Sequence, residues 1–521
     1  MGQLPLSPSL HDLRRLVAPL LGGLAALVAY ARTLPPGLTW AHNGADGGDL
    51  LAAALAGGVP HPTGYPTYVL LLRLVAGLSR GDPARAGAWL SAICAAVAVA
   101  LLADLAQRAV RRGQPGRETA ASAAGLIAAL AWAASTGLWD QAVIVEVYAF
   151  NALICVALLW LAWRWFEAVA SGATAQRWLV AAGLLFGLGL GNHVTVALML
   201  PGLAVWLWAI ARKHRVRTGL GRDLGLAAIA ALAGLLVYLY LPLASHHRPP
   251  VNWGDPSSPS GLLWVATGRL YAGLAFGLPL AQIGARVLGW ASWAVRQFHP
   301  WGLLVVLAGL WHLDRTSRPW WLTTLVIWLA FTLYAIGYNS VDSLVYLIPA
   351  FAVMALWLAE AVYTALVRLE PRRAAQAGLV LLLLAAVPTA SFARWRDQDL
   401  SRDATARGFL ASALEEAAPN AVILTSGDQR TFALWYGVYG LRQRPDVAVL
   451  NVNLYGYDWY RATLAETHTN LLPSAGEAPP IELLIAALVT RRPVYAAEDL
   501  GLDLPQITEQ QVGVLAQLRG P

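Results

Sequence analysis

Long apolar segments alternate with short polar connections along most of this chain. A membrane-spanning helix needs about 20 apolar residues, with a range of about 17 to 25. A window of that length predicts about eleven transmembrane helices, at 16–32, 86–107, 120–135, 147–166, 178–192, 194–211, 224–243, 290–312, 320–338, 343–367 and 374–392. The pattern is typical of a polytopic α-helical membrane protein. Several spans are short, and 178–211 is alternatively one hairpin broken around Gly187–His193.

The basic residues of the connections are distributed asymmetrically. With eleven spans, five basic clusters fall on the same side of the membrane, which the positive-inside rule makes the cytoplasm. The N-terminus is then predicted to lie inside and the C-terminus outside. The clusters are Arg14/Arg15, Arg108/Arg111/Arg112/Arg117, Arg212/Lys213/Arg215/Arg217/Arg222, Arg315/Arg318 and Arg368/Arg372/Arg373.

The apolar segment Tyr65–Leu78 is predicted not to cross the membrane. It has about 14 residues and reaches about 21 Å at 1.5 Å per residue, less than a hydrocarbon core of about 30 Å. Counting it as a span would also move the next basic cluster to the outer side. We therefore expect this segment to lie along the outer membrane face, within a first outer loop at 33–85.

The composition changes near residue 393, where the long apolar segments end. Short apolar runs that resemble buried strands alternate there with helical stretches, the runs at 421–425, 447–452 and 494–496 and the stretches at 401–417, 430–441 and 481–490. The remainder of the chain has the usual size of a small domain. The sequence thus predicts a transmembrane domain at 1–392 and a small extracytoplasmic α/β domain at 393–521.

The composition supports the membrane class and excludes others. Hydrophobic residues make up 57% of the 521 residues and charged residues only 13%, whereas a soluble chain carries about 25% charge. The net charge of +7 fits cytoplasmic arginines, and no basic stripe interleaved with aromatics indicates nucleic-acid binding. Cys94 and Cys155 lie in apolar runs and are predicted to be packing residues. The first helix, which lacks a small-residue cleavage site, is predicted to be retained.

Two carboxylates follow the first predicted span closely. Asp46 and Asp49 are spaced i,i+3, so a helix that begins at Asp46 would place both on one face of its first turn, where its N-terminus favours their ionised form. Gly44, Gly47 and Gly48 leave room for a substrate to approach the backbone. The structural alternative is an N-cap aspartate on an amphipathic helix with no chemistry to perform.

Other ionisable residues map to the same predicted face. Glu146 lies at the rim of a helix, His193 lies in a glycine-rich break between two short helices, and Asp342 lies at a helix start. Each has a structural explanation, as an interfacial carboxylate, a packed histidine or a helix cap. Ionisable residues at membrane depth are costly, however, and tend to mark functional sites. We expect Asp46, Glu146 and His193 to share one pocket.

Several motifs together resemble a known family. Asp46-Gly47-Gly48-Asp49, followed by His61-Pro62-Thr63-Gly64-Tyr65-Pro66, is similar to the acidic and His-Pro-Pro-Gly-Tyr-Pro motifs of a set of bacterial polytopic proteins. These are related to the animal O-mannosyltransferases that modify receptor ectodomains, within the GT-C glycosyltransferase superfamily. Asp49 stands where the family usually has Glu, and Thr63 where it usually has Pro. Further matches are Glu146-Val147-Tyr148, Gly189–His193, Asn252–Pro256, Thr425–Asp428, Trp435-Tyr436, Arg444–Val447 and Trp459-Tyr460.

The resemblance implies a GT-C-like fold and an inverting transfer of a sugar from a polyprenyl-phosphate carrier to a hydroxyl acceptor: a protein Ser/Thr, a glycolipid or a wall polymer. Asp46 matches the general base of the first outer loop. No cofactor is expected, although a divalent cation held by Asp46, Asp49, Glu146 and His193 is an alternative. The resemblance does not decide which positively charged side chain stabilises the leaving phosphate. The candidates are His61, His247, Arg248 and Arg269. The implied substrate-binding residues are Asp49, His61, Tyr65, Glu146, Tyr148, His193, His247, Arg248, Trp253, Asp255 and Arg269.

Two other classes of protein fit parts of the pattern. A transporter or flippase of lipid-linked substrates also has many helices and glycine-broken segments, but the charged residues here gather at one face and no inverted repeat is visible. A non-catalytic membrane assembly factor would not need the Asp46 loop.

The expected location is the bacterial plasma (inner) membrane, with the lipid bilayer, a polyprenyl-phosphate sugar and an unidentified hydroxyl acceptor as partners.

Overall fold

The computed structural model describes residues 10–112, 114–215, 219–472 and 479–520. Arg217 of the predicted basic clusters lies outside these ranges. The helices up to the C-terminal sheet are α1 (Leu10–Thr33), α2 (Gly47–Ala56), α3 (Pro66–Leu78), α4 (Pro83–Arg111), α5 (Glu118–Ala133), α6 (Thr136–Ala142), α7 (Tyr148–Ala170), α8 (Gln176–Leu190), α9 (Leu200–Lys213), α10 (Leu220–Leu235), α11 (Tyr240–His246), α12 (Pro259–Ala266), α13 (Leu280–Thr316), α14 (Arg318–Gly337), α15 (Ile348–Arg368) and α16 (Arg373–Gln398).

Each of the eleven predicted apolar segments is largely helical, and the multi-pass membrane class is confirmed. By length and composition, seven helices in the described ranges qualify as spans, and the pair α5 and α6, bent by 67°, brings the number up to eight. The difference from eleven arises because α8 and the apolar part of α16 are short. In addition, α13 contains a break at His299, just before Pro300, which has no N–H to donate to the helix.

Small residues let the central helices approach closely. The alanine-rich α4 packs against α1, α5 and α7, and its inward face is fully buried. A Cβ added to Gly125 of α5 would lie 2.7 Å from the carbonyl oxygen of Ala103 in α4. Such contacts between small residues are the usual basis of helix association in membranes.

The segment predicted to lie along the outer face forms the helix α3, which has 13 residues. At 1.5 Å per residue it measures about 20 Å, shorter than the hydrocarbon core. It packs against α2 and α4. Its orientation to the bilayer stays a prediction.

The C-terminal region forms the predicted small α/β domain. A five-stranded sheet has the order β2-β1-β3-β5-β4, in which β1, β2 and β3 are parallel and β5 runs antiparallel to β3 and β4. The elements are α17 (Thr405–Glu416), β1 (Val422–Thr425), α18 (Asp428–Trp435), β2 (Ala448–Asn451), α19 (Asp458–Thr467), α20 (Ile481–Val489), β3 (Val494–Ala496), β4 (Thr508–Val512) and β5 (Leu515–Arg519). The three predicted strands are confirmed. Because β4 is polar and exposed, the sequence did not indicate the hairpin.

The C-terminal domain packs directly on the first loop. The helix α18 lies against α2, and the contact is so close that a Cβ added to Gly48 would lie 2.5 Å from the carbonyl oxygen of Phe432. The Trp253 ring contacts the rings of Phe432, Trp435 and Trp459. The first loop and the C-terminal domain therefore share one packed interface.

Candidate active site

A cavity of about 310 Å³ lies between the membrane helices and the C-terminal domain. Its size falls at the lower end of the range for small-molecule sites. Side chains from the first loop, from the starts and ends of several helices, and from the C-terminal domain meet around it. The lining residues are Asp46, His61, Pro62, Thr63, Tyr65, Tyr148, His193, Val194, Thr267, Gly268, Tyr271, Ala272, Leu274, Ala275, Tyr334, Tyr338, Ser340, Asp342, Tyr346 and Asp428.

Asp46 lies at the junction between a 3₁₀ helix, Ala41–Asp46, and α2. The helix α2 begins at Gly47, one residue later than predicted, and the Asp46 side chain does not cap it. The side chain instead lines the cavity, with 41% of its surface accessible. Asp46 thus occupies the N-cap position of α2 without a capping hydrogen bond to its side chain, so the structural alternative considered from the sequence does not account for its carboxylate.

Asp49 is fully buried behind the cavity wall. Its Oδ2 accepts hydrogen bonds from the backbone N–H of His61 at 2.8 Å and from the His61 Nδ1 at 2.7 Å. Its Oδ1 accepts a third from the Trp253 Nε1 at 3.1 Å. Asp49 thus does not reach the cavity, but it fixes the orientation of the His61 ring from behind.

His61 connects the two carboxylates. Its Nε2 lies 3.7 Å from Asp46 Oδ2, while Asp49 holds the opposite side of the ring. Burial alone would lower the pKa of His61, but the charge of Asp46 and the hydrogen bond with Asp49 outweigh it and raise the pKa to about 9. The ring therefore carries a positive charge at neutral pH.

The pKa of Asp46 is shifted in the direction that suits a base. Although part of the side chain faces the cavity, desolvation by the surrounding protein raises its pKa to about 6. The charge of His61 partly opposes this rise, while Asp428, Asp49 and Asp342 add to it. At neutral pH most Asp46 is ionised, yet its conjugate acid is less acidic than an ordinary carboxylic acid. A base with a pKa near the working pH transfers protons efficiently.

Glu146 and His193 take different positions around this centre. His193 lines the cavity and contacts the rings of Tyr65, Tyr148 and Tyr346. Burial and the charge of His61 lower the pKa of His193 to about 4, so the ring is neutral. Glu146 is buried just outside the lining and accepts a hydrogen bond from the Val147 N–H at 3.2 Å. Burial and the charge of Asp46 raise the pKa of Glu146.

Tyrosines form the wall that the sequence analysis did not foresee. Tyr334, Tyr338 and Tyr346 pack against one another with ring centroids 5.2 to 5.4 Å apart, and Tyr271 lines the cavity with them. They lie in or beside apolar helices, where a single tyrosine is indistinguishable from an interfacial or core residue. The aromatic wall offers flat apolar surfaces against which a sugar ring can pack.

A short loop after α14 carries Asp342 into the cavity. Arg286 of α13 donates hydrogen bonds to the carbonyl oxygens of Tyr338 and Ser340, at 3.2 and 2.9 Å, and to the Ser343 hydroxyl. The Ser340 hydroxyl donates to Asp342. Arg286 thus holds the loop backbone and does not line the cavity itself.

Most of the remaining predicted residues lie outside the cavity lining. Trp253 stands behind Asp49, and Asp255 accepts hydrogen bonds from the hydroxyls of Ser245 in α11 and of Ser257 in its own turn. Arg248 forms an ion pair with Glu466 of the C-terminal domain at 3.2 Å. His247 and Arg269 are exposed; Arg269 begins the 3₁₀ helix Arg269–Leu274, whose neighbouring residues line the cavity. Tyr65 and Tyr148 do line it.

The predicted alternative of a divalent-cation site is not supported by the geometry. Within the described ranges, no three or more His, Cys, Asp or Glu side chains come close enough together to hold one metal ion. Asp49 is occupied by His61 and Trp253, and Glu146 lies behind the lining, so the four residues considered from the sequence do not converge on one point.

The matches to known protein families fall in two parts of the chain, one among the membrane helices and one in the C-terminal domain. Residues 46–217 match the family model of the N-terminal domain of protein O-mannosyl-transferase TMEM260, and residues 405–475 match that of TMEM260-associated domain 2. The protein O-mannosyl-transferase TMEM260 of Mus musculus is 29% identical over 270 residues, which are 51% of this chain and 36% of that protein. The chain thus spans little more than a third of the length of this curated relative.

Solved structures resemble nearly the whole chain. The crystal structure of ArnT from Cupriavidus metallidurans bound to undecaprenyl phosphate has a TM-score of 0.61 at 14% identity, covering 96% of this chain and 99% of that one. The apo state of the same protein gives 0.59 at 14% identity, with coverages of 96% and 98%. The likeness at this identity is one of fold. The predicted resemblance is confirmed: the chain is similar in sequence to protein O-mannosyl-transferase TMEM260 and shares the fold of ArnT.

Proposed function

We propose that this protein is an inverting glycosyltransferase that moves a hexose, with mannose favoured by the TMEM260 similarity, from a polyprenyl-phosphate carrier to a hydroxyl acceptor. Transfer takes place at the outer face of a bacterial inner membrane, with the N-terminus cytoplasmic. The observation that carries the proposal is the cavity in which Asp46 faces the open space and His61 is held beside it by Asp49.

The chemistry assigns a role to each of these side chains. Asp46 takes the proton of the acceptor hydroxyl while its oxygen attacks the anomeric carbon from the face opposite the phosphate. The bond between the anomeric carbon and the phosphate oxygen breaks, and its electron pair leaves with the carrier phosphate. Of the four candidates for the stabilising cation, His61 lines the cavity, so we assign it to the developing phosphate charge.

Release of the carrier phosphate is the direct test of this function. Purified protein in nanodiscs is incubated with polyprenyl-phosphate mannose, glucose and galactose, and free polyprenyl phosphate is measured. We expect release with at least one donor, abolished by heat treatment of the protein. Movement of intact donor across the bilayer of proteoliposomes without release would instead identify a flippase, and neither activity would favour an assembly factor.

The pH dependence of the reaction follows from the two shifted groups. Asp46 acts only when ionised, so kcat/KM should rise with pH through about 6, the value to which burial raises its pKa. His61 acts only when protonated, so kcat/KM should fall as pH passes about 9. The measurement is donor turnover between pH 4.5 and 10 with stability checked at each pH. A profile flat from pH 5 to 10 would contradict both assignments.

A further inference from the structure

The C-terminal domain contributes a carboxylate of its own to the cavity. Asp428, the first residue of α18, lines it together with Asp46 and Asp342. It belongs to a different domain from every other lining residue. A residue of one domain that lines an active-site cavity formed mainly by another domain is a candidate for substrate contact.

The local structure does not need the Asp428 carboxylate. The loop before α18 is held by Glu498, which accepts hydrogen bonds from the backbone N–H groups of Ser426 and Gly427 at 2.8 and 2.7 Å. Gly427 is the N-cap residue, and no side chain caps the helix. Within the described part of the chain, the Asp428 side chain has no hydrogen-bond or salt-bridge partner. An acidic residue in the first turn of a helix adds only a little to the stability of that helix.

The position of Asp428 is nevertheless fixed. The backbone of Phe432, one turn further along α18, packs against Gly48 of α2. The Phe432 ring stacks on His61, with an angle of 10° between the ring planes and centroids 6.4 Å apart. The same helix thus contacts the His61 ring and presents Asp428 to the cavity.

We propose that Asp428 contacts the acceptor and selects it by charge, favouring hydroxyl acceptors with a neutral or cationic group beside the reacting oxygen over anionic ones. This inference rests on the proposed glycosyl transfer. The donor's phosphate is anionic, so a carboxylate is unsuited to bind it. The polyprenyl chain arrives from the bilayer, whereas α18 closes the cavity from the C-terminal domain. Asp342 also lines the cavity and adds a further carboxylate to it.

Small alcohols of different charge test the selection without knowledge of the natural acceptor. Glycosyl transfer from the active donor is measured to ethanolamine, ethylene glycol and glycolate at pH 7.5. The wild-type protein should favour ethanolamine over glycolate. The Asp428→Asn variant keeps the side-chain size but removes the charge, and should lower that ratio about tenfold, as expected for one charge within a few ångströms. Asp428→Glu should retain the preference.

The matched control is Asp503→Asn, which removes an exposed carboxylate of the same domain and should leave the ratio at the wild-type value. An equal ratio in wild type and Asp428→Asn would overturn the inference while the glycosyltransferase proposal stands. Donor turnover to water without transfer to any of the alcohols would also overturn it. No donor turnover by the wild-type protein would instead refute the proposed function itself.

Discussion

Asp46→Asn should lower the rate of sugar transfer by about 10² to 10⁴, the usual contribution of a general base. The amide has the size and the hydrogen-bonding reach of the carboxylate but does not take up the acceptor proton. Because Asp46 makes no capping bond and faces the cavity, the variant should fold and should still bind the donor lipid. The measurement is carrier release under single-turnover conditions, with donor binding and the unfolding temperature determined on the same samples.

The other carboxylates near the cavity provide the contrast. Glu146→Gln replaces a buried carboxylate outside the lining, so it should affect the rate far less than Asp46→Asn. Near-normal turnover of Asp46→Asn together with an inactive Glu146→Gln would mean that the base has been assigned to the wrong residue. Normal turnover in both variants would contradict the enzymatic interpretation of the cavity.

The membrane helices were predictable because the signal that specifies them is local. Each needs only a sufficiently long apolar run, and the backbone must satisfy its own hydrogen bonds in lipid. The same is true of β1, β2 and β3, which are short apolar runs buried in the sheet. The hairpin of β4 and β5 depends on pairing between polar residues at an edge, and no apolar pattern marks it.

The site was predictable only in part, because several of its residues owe their roles to distant contacts. The spacing of Asp46 and Asp49 suggested two carboxylates on one helix face, with Asp46 as the base and Asp49 beside it. In the structure the two carboxylates have different surroundings. Trp253 and α18 cover Asp49, whereas Asp46 faces the cavity. Asp428 carried a signal, since it lies within one of the family motifs, but its approach to Asp46 depends on domain packing. Tyr334, Tyr338 and Tyr346 carried none.

The second large effect is expected at Asp49, although it does not reach the cavity. Its two oxygens accept three hydrogen bonds, from the His61 backbone N–H, the His61 ring and the Trp253 indole. In Asp49→Asn the amide oxygen can still accept from one side, but the NH₂ group then faces donors on the other. A buried donor left unpaired costs about 1 to 3 kcal/mol, and more where a charge is involved. We therefore expect Asp49→Asn to lower the free energy of unfolding by about 2 to 4 kcal/mol.

The same substitution should change the pH profile in a way that a general loss of stability would not. The hydrogen bond with Asp49 helps to raise the pKa of His61 to about 9, so its loss should move the alkaline limb of kcat/KM toward neutral pH. Asp255→Asn, which alters a carboxylate that is hydrogen-bonded to Ser245 and Ser257 and lies outside the cavity lining, should leave that limb in place. An Asp49→Asn protein that is less stable but keeps the wild-type alkaline limb would show that Asp49 supports the fold of the loop without controlling the protonation of His61. A shift of the alkaline limb toward neutral pH would show that Asp49 controls the protonation of His61. The buried hydrogen bonds between Asp49 and His61 predict this result.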